Sequence, residues 1–170
     1  TDSSSNEYKN HKYAFFTKNV AYSEAERFCE NLGGHLATIS SDAENNYLFN
    51  LMKSKGYNSA YFGLTDSERE GVWKWANGET VNYTNWRLGE PNAENENEDY
   101  AMFYYKYNDG TWNDGDFGGS TVNGGNVFIC EWDESLNTYS GHTYMFFKDI
   151  ALSYQSAERF CENAGGHLAT

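Results

Sequence analysis

The chain has 170 residues, with 25 acidic and 12 basic side chains and a formal net charge of −13. Such a balance excludes a nucleic-acid backbone as partner, because phosphate binding needs a basic face, and it disfavours anionic membrane surfaces. Aromatic residues make up 18% of the chain, too many for an acidic disordered segment, and no apolar run approaches the ~20 residues of a membrane span, so no membrane insertion is expected. Thr1–Asn10 is polar and shows no signal-peptide pattern.

In chain order, Tyr13–Phe16 reads as a short strand. Ser23 and Glu26 have capping-box spacing and open a helix that Gly33 and Gly34 can end. His35–Ile39 reads as extended, and Ser41 with Glu44 opens a second helix with Tyr47, Leu48, Leu51 and Met52 on one face, ending at Gly56. From Ala60 the pattern changes to short aromatic strands at 61–64, 72–75, 101–107 and 127–132, punctuated by Asn77-Gly78 and Asp109-Gly110 turns. Two helices followed by several short strands predict an α+β domain.

The chain also repeats itself. Ala25–Thr38 returns as Ala157–Thr170 with one difference in fourteen positions, Leu32 against Ala164, and His11–Phe16 matches His142–Phe147. The offset of about 132 residues is the size of one module, not of a solenoid unit. The predicted organisation is one domain over residues 7–134, followed at 135–170 by a linker and the truncated start of a second copy. The repeat explains the odd cysteine: Cys161 is the counterpart of Cys29. Cys161 is then either a free thiol or a competitor for Cys130. The near identity of the two segments would let 142–170 take the place of 11–38, within one chain or in a swapped dimer.

Residues 85–116 hold eight acids (Glu90, Glu94, Glu96, Glu98, Asp99, Asp109, Asp114 and Asp116) against Arg87 and Lys106. Asn92, Asn95, Asn97 and Asn113 are interleaved among them. The bland alternative is a solvated acidic loop. Carboxylate and amide oxygens without clustered His or Cys are otherwise the donor set of a hard cation such as Ca²⁺. No EF-hand loop fits the spacing.

Several ordered landmarks then give the chain a resemblance. Cys29 sits between Ala25–Phe28 and Gly33–Ala37; Tyr61–Leu64 follows, then Asn85-Trp86, Glu90-Pro91-Asn92, Glu98-Asp99, Trp112–Asp114 and Phe128–Trp132. Taken together and in this order they resemble a C-type lectin-like domain. The resemblance implies the C-type lectin fold, with two helices packed on short antiparallel sheets and a long calcium-binding loop region. It implies a Ca²⁺ site at Glu90, Asn92, Glu98, Asn113 and Asp114, with a cis bond before Pro91, the only proline. Glu90, Asn92, Glu98 and Asn113 would also bond the sugar, each giving one atom to the ion and one to a hydroxyl. In this family Glu-Pro-Asn goes with mannose, N-acetylglucosamine or fucose geometry.

The resemblance further implies a Cys29–Cys130 disulfide, hence an oxidising, extracellular or cell-surface location. An auxiliary Ca²⁺ site would use Asp66, Glu70 and Asp99, although Ala93 lacks the carboxylate usual after Asn92. The second disulfide common in the family is missing, since Tyr100 stands where its first cysteine would be and 117–126 contains none. That loop is therefore expected to depend on calcium and aromatic packing for its order.

His11, His35, His142 and His167 all fall in the duplicated segments and read as strand and turn residues. A Cys29–His35 nucleophile pair or paired glycosidase carboxylates would be the routes to an enzyme. The first uses a cysteine on an apolar helix face and the second uses acids better assigned to calcium, so no catalytic residues are expected. The expected partners are glycans, bound more tightly by tandem modules through avidity. A protein-binding or structural module, using calcium only to order its loop, is the competing class.

Overall fold

The computed structural model describes residues 7–18, 20–94, 97–116, 126–133, 137–139, 142–144, 153–163 and 166–169. Its elements are β1 (Glu7–Tyr8), β2 (His11–Lys18), α1 (Tyr22–Asn31), β3 (His35–Leu36), α2 (Asp42–Ser54), β4 (Ala60–Thr65) and β5 (Lys74–Trp75). There follow β6 (Tyr100–Phe103), β7 (Trp112–Gly115), β8 (Asn126–Asp133), β9 (Asn137–Tyr139), β10 (His142–Tyr144) and α3 (Tyr154–Asn163). This is the expected α+β architecture.

One sheet carries the order β1-β2-β8-β4-β6-β7, with β3 added to β8 and β5 to β4. The early strand β2 lies antiparallel against the late strand β8 over its whole length, from His11 opposite Asp133 to Lys18 opposite Asn126. Alternation along β2 sends Tyr13 and Phe15 to one face and Ala14 and Phe16 to the other, as a period of two requires. Both faces are covered, so the run from Tyr13 to Phe16 is buried throughout. The first face packs with Leu48, Leu51 and Met52 of α2 and with Phe62, Phe103 and Trp112. The second face packs with Ala25 and Cys29 of α1 and with Phe128 and Cys130 of β8.

Cys29 and Cys130 form a disulfide with Cα atoms 5.4 Å apart, tying α1 to β8. The turn after α1 presses on the same strand: Trp132 Nε1 donates to the Leu32 carbonyl at 2.9 Å. A Cβ at Gly34 would sit 2.2 Å from the Glu131 carbonyl oxygen and 2.8 Å from Trp132 Nε1. Gly34→Ala must therefore push the turn off β8. We expect a loss of about 1–3 kcal/mol, the usual cost of overpacking, read as a lower urea midpoint. An unchanged midpoint would show that this turn is free to move away.

Local expectations hold with shifts of a few residues. α1 starts at Tyr22, and the backbone N–H of Ala21 donates to Glu24 Oε2 at 3.0 Å, so the carboxylate that reaches back is Glu24 and not Glu26. In α2 Ser41 caps the Glu44 N–H at 3.3 Å, as expected, while the Glu44 side chain turns to Ser40 and Tyr13. β7 was not foreseen, because Asn113, Asp114 and Gly115 have poor strand propensity. Its register against β6 supplies the pairing that its composition does not.

The repeated segments form like elements. β9 and β10 pair with His142 opposite Tyr139, as β1 and β2 pair with His11 opposite Tyr8. α3, ten residues long, matches α1 in length. Cys161 is a free cysteine whose thiol is pushed up by partial burial. The stretch 117–125, on which the expectation about calcium-dependent loop order falls, lies outside the described residues.

Candidate functional site

The acidic segment is placed by Trp112. Its side chain is fully buried against Phe62, Trp75, Tyr83 and Trp86, and its Nε1 donates to Asn45 Oδ1 of α2 at 2.6 Å. Its backbone holds the incoming loop: Trp112 N donates to the Asn85 carbonyl at 2.8 Å, and Arg87 N donates to the Trp112 carbonyl at 3.0 Å. Asn45 and Asn85 both donate side-chain N–H to the Gly110 carbonyl, at 3.0 and 2.9 Å. Residues 85–92 are thereby laid beside β7, whose next two residues are Asn113 and Asp114.

Glu90, Asn92, Asn113 and Asp114 meet there, with the Asn92 Oδ1 accepting the Glu94 N–H at 2.7 Å, while Glu98 is near enough for its charge to act on Glu90. Asp114 is buried, and its Oδ2 accepts the backbone N–H groups of Asn92 and Ala93 at 3.0 and 2.8 Å. The Asn113 amide donates to the Asp114 carbonyl. The Glu90–Pro91 peptide is cis. Burial raises the Glu90 carboxyl above the usual range, Tyr107 opposes that by donating to it, and the neighbouring Asp114 and Glu98 carboxylates raise it further. Glu90 Oε2 and Asp114 Oδ1 are both buried, and with both carboxyls ionised neither meets a hydrogen-bond donor; only a proton shared between the two groups would partner them in the absence of a cation. Two unpartnered carboxylate oxygens in one acidic pocket are costly unless a cation compensates them, so the donor set fits a hard oxygen-seeking ion.

Two neighbours were missed by the sequence reading. The Tyr107 hydroxyl lies 3.1 Å from Glu90 Oε1 and 3.2 Å from Asn113 Oδ1, and has one proton to share between them. The Arg87 guanidinium stacks 4.1 Å above the Tyr107 ring and bonds Asp109 Oδ2 at 3.1 Å. The dense aromatic run Tyr104, Tyr105, Tyr107 ahead of an Asp-Gly turn was the available signal, but it was read as strand. Leu88, two residues before Glu90 in the turn closed by the Glu90 N–H to the Arg87 carbonyl, is fully exposed.

The auxiliary trio also gathers. Asp66 is buried, its Oδ2 accepts the Gly71 N–H at 2.8 Å, and its Oδ1 has no partner. Its backbone N–H donates to the Asp99 carbonyl at 3.2 Å. Burial raises the Asp66 carboxyl, against the Gly71 hydrogen bond, and the Asp99 and Asp114 charges add to the rise. Glu70 is raised chiefly by the Asp66 charge, then by slight desolvation and the charges of Asp99 and Asp114. The Asp114 charge is thus felt by Asp66 and Glu70 as well as by Glu90.

Comparison with known proteins identifies the family of the fold. The family model described as Lectin C-type domain matches residues 18–132. Lithostathine of Rattus norvegicus is 35% identical over 94 residues, which cover 54% of this chain and 57% of the relative. Lectin BRA-3 of Megabalanus rosa is 32% identical over 127 residues, covering 74% of this chain and 73% of that lectin. Among solved structures, the cow C-type carbohydrate-recognition domain of CD23, determined with a GlcNAc2Man3 oligosaccharide, superposes with a TM-score of 0.61 at 28% identity, covering 75% of this chain and 92% of that one. The chain spans little more than half the length of the rat relative.

Proposed function

The chain belongs to the C-type lectin family, and on that footing we propose that it binds glycans in a calcium-dependent way through Glu90, Asn92, Glu98, Asn113 and Asp114. The observation that carries the reading is the pair of buried, unpartnered oxygens on Glu90 and Asp114. A bound Ca²⁺ would supply coordination positions for two vicinal hydroxyls of a pyranose. The chain's own groups do the rest. Asp114 holds the 92–93 backbone in place through two N–H bonds, and the Glu94 N–H holds the Asn92 side-chain oxygen at 2.7 Å. Glu90 would accept and the amides of Asn92 and Asn113 would donate, and in this family Glu-Pro-Asn goes with equatorial hydroxyls of the mannose type. Tyr107 supports Glu90 and Asn113 from behind. Asp66, Glu70 and Asp99 would take an auxiliary ion that neutralises the charge facing Asp114.

The Cys29–Cys130 disulfide supports an extracellular or cell-surface setting. Among the described residues no helix is long and apolar enough to cross a membrane. A single shallow site of this kind binds a monosaccharide at about millimolar Kd, about −4 kcal/mol. The repeated segment fits a multi-module parent in which avidity raises that affinity.

A glycan array run with Ca²⁺ and again with EDTA tests the reading. Mannose-, N-acetylglucosamine- or fucose-terminated glycans should bind only with calcium. The Glu90→Gln, Asn92→Asp double variant should move selectivity toward galactose. Calcium raising the thermal midpoint with no glycan bound at all would favour the protein-binding or structural module instead. Selectivity unchanged in the double variant would overturn the site assignment.

A further inference from the structure

A second group of ligating side chains lies away from the loop site, where the first and last strands of the domain meet. His11 at the start of β2 faces Asp133 at the end of β8 in the sheet register. Its Nδ1 is 2.6 Å from Glu131 Oε1 and 2.9 Å from Asp133 Oδ1. The three ligand atoms all lie within 4.8 Å of one another. We propose that His11, Glu131 and Asp133 form a binding site for a divalent transition-metal ion of the zinc class.

The donor set decides the class of ion. One imidazole nitrogen with two carboxylate oxygens suits a borderline cation such as Zn²⁺, whereas a hard ion prefers oxygen alone. Bonds of about 2.0–2.1 Å in a tetrahedral arrangement hold ligand atoms about 3.3 Å apart, so the present contacts of 2.6 and 2.9 Å need to open by about 0.7 and 0.4 Å. His11 and Asp133 can yield that much, because their side chains are 38% and 59% exposed. Glu131 is the rigid member. It is 1% exposed, and its Oε2 accepts the Thr38 N–H at 2.8 Å and the Thr38 hydroxyl at 3.2 Å, leaving Oε1 turned toward His11.

Two further observations point to a ligand. His11 Nδ1 is itself buried and sits between the two carboxylates, 2.6 and 2.9 Å away, so the imidazole nitrogen and both oxygens converge on one place out of contact with bulk water. Negative charge is in excess as well. Glu44, also buried, shares the Tyr13 hydroxyl with Glu131, at 2.6 Å from Glu44 Oε1 and 3.4 Å from Glu131 Oε1. His35 completes the surroundings: its Nδ1 lies 2.8 Å from the Leu36 carbonyl, which turns Nε2 toward Asp133 Oδ2 at 3.4 Å. A ring nitrogen held in this way orients the ligating Asp133 carboxylate, so His35 is a positioning residue and solvent takes the fourth place on the ion.

The test uses the full chain saturated with Ca²⁺, titrated with Zn²⁺ by calorimetry and with Co²⁺ by visible absorption. We expect one Zn²⁺ per chain and the intense ligand-field bands of four-coordinate Co²⁺. His11→Gln and Asp133→Asn should each weaken Zn²⁺ by more than the ~10–100-fold typical of losing an outer-shell partner, and His35→Gln by about that amount. His142→Gln, at the matching position of the repeated segment, should change nothing. Glu131 is left intact because its bonds to Thr38 are structural. Unchanged Zn²⁺ affinity in the His11 and Asp133 variants, or no Zn²⁺ binding in the parent chain, would reduce the cluster to a histidine–carboxylate ion pair. Calcium and glycan binding use other residues and are read separately, so either reading can fail alone.

Discussion

Trp112→Ala should be the most damaging single substitution in the domain. The indole is fully buried among Phe62, Trp75, Tyr83 and Trp86, and truncating such a side chain costs about 3–5 kcal/mol. It also strands the buried Asn45 oxygen that accepts Nε1–H, adding about 1–3 kcal/mol. The loss should reach the site as well as the fold, because the same residue's backbone anchors Asn85 and Arg87 and precedes Asn113 and Asp114. Urea unfolding should show the stability loss, and a calcium titration on the folded fraction should show weaker binding. Trp112→Phe separates the two causes: it keeps most of the ring packing and loses the bond to Asn45. A Trp112→Ala variant within about 1 kcal/mol of the parent would mean that the aromatic cluster closes without the indole.

Removing the disulfide is the other large expected effect. Cys29 and Cys130 are 101 residues apart, and opening a loop of that length costs about 4–5 kcal/mol in the chain-entropy model. Both sulfur-bearing side chains are fully buried between α1 and β8. The Cys29→Ala, Cys130→Ala pair removes the cross-link without leaving a lone thiol, and its urea midpoint should fall accordingly. Cys161→Ala should leave the midpoint where it is, since Cys161 is free in this fold. Non-reducing mass mapping provides the complementary reading. A Cys130–Cys161 linkage in the purified chain would show that the second segment competes for the place of the first, and would overturn the assignment of Cys130 to Cys29.

The acidic segment shows how far reading along the chain can go. Glu90, Asn92, Glu98, Asn113 and Asp114 were legible as oxygen donors because they are crowded within 25 residues, and the ordered landmarks around them were legible as a family pattern. Tyr107 was not, because nothing in an aromatic run says which hydroxyl will meet Glu90. β7 was not either, since its residues are paired by β6 against their own propensity. The histidines were read only as strand and turn residues. His11 does lie in a strand, but its meeting with Glu131 and Asp133 depends on a register between positions more than a hundred residues apart.

The division follows from the range of the forces involved. Helix caps, strand alternation, the acidic donor set, the single proline and the repeated segment are local facts, set by a few neighbouring residues and readable in order. Which carboxylate loses its water is decided by what folds over it. Burial leaves Glu90 Oε2 and Asp114 Oδ1 without a donor, and register sets His11 Nδ1 between two carboxylates. Desolvation and charge repulsion act across space and not along the chain, so the sequence by itself determined the donors, and the tertiary structure decided which of them stand unpartnered and together.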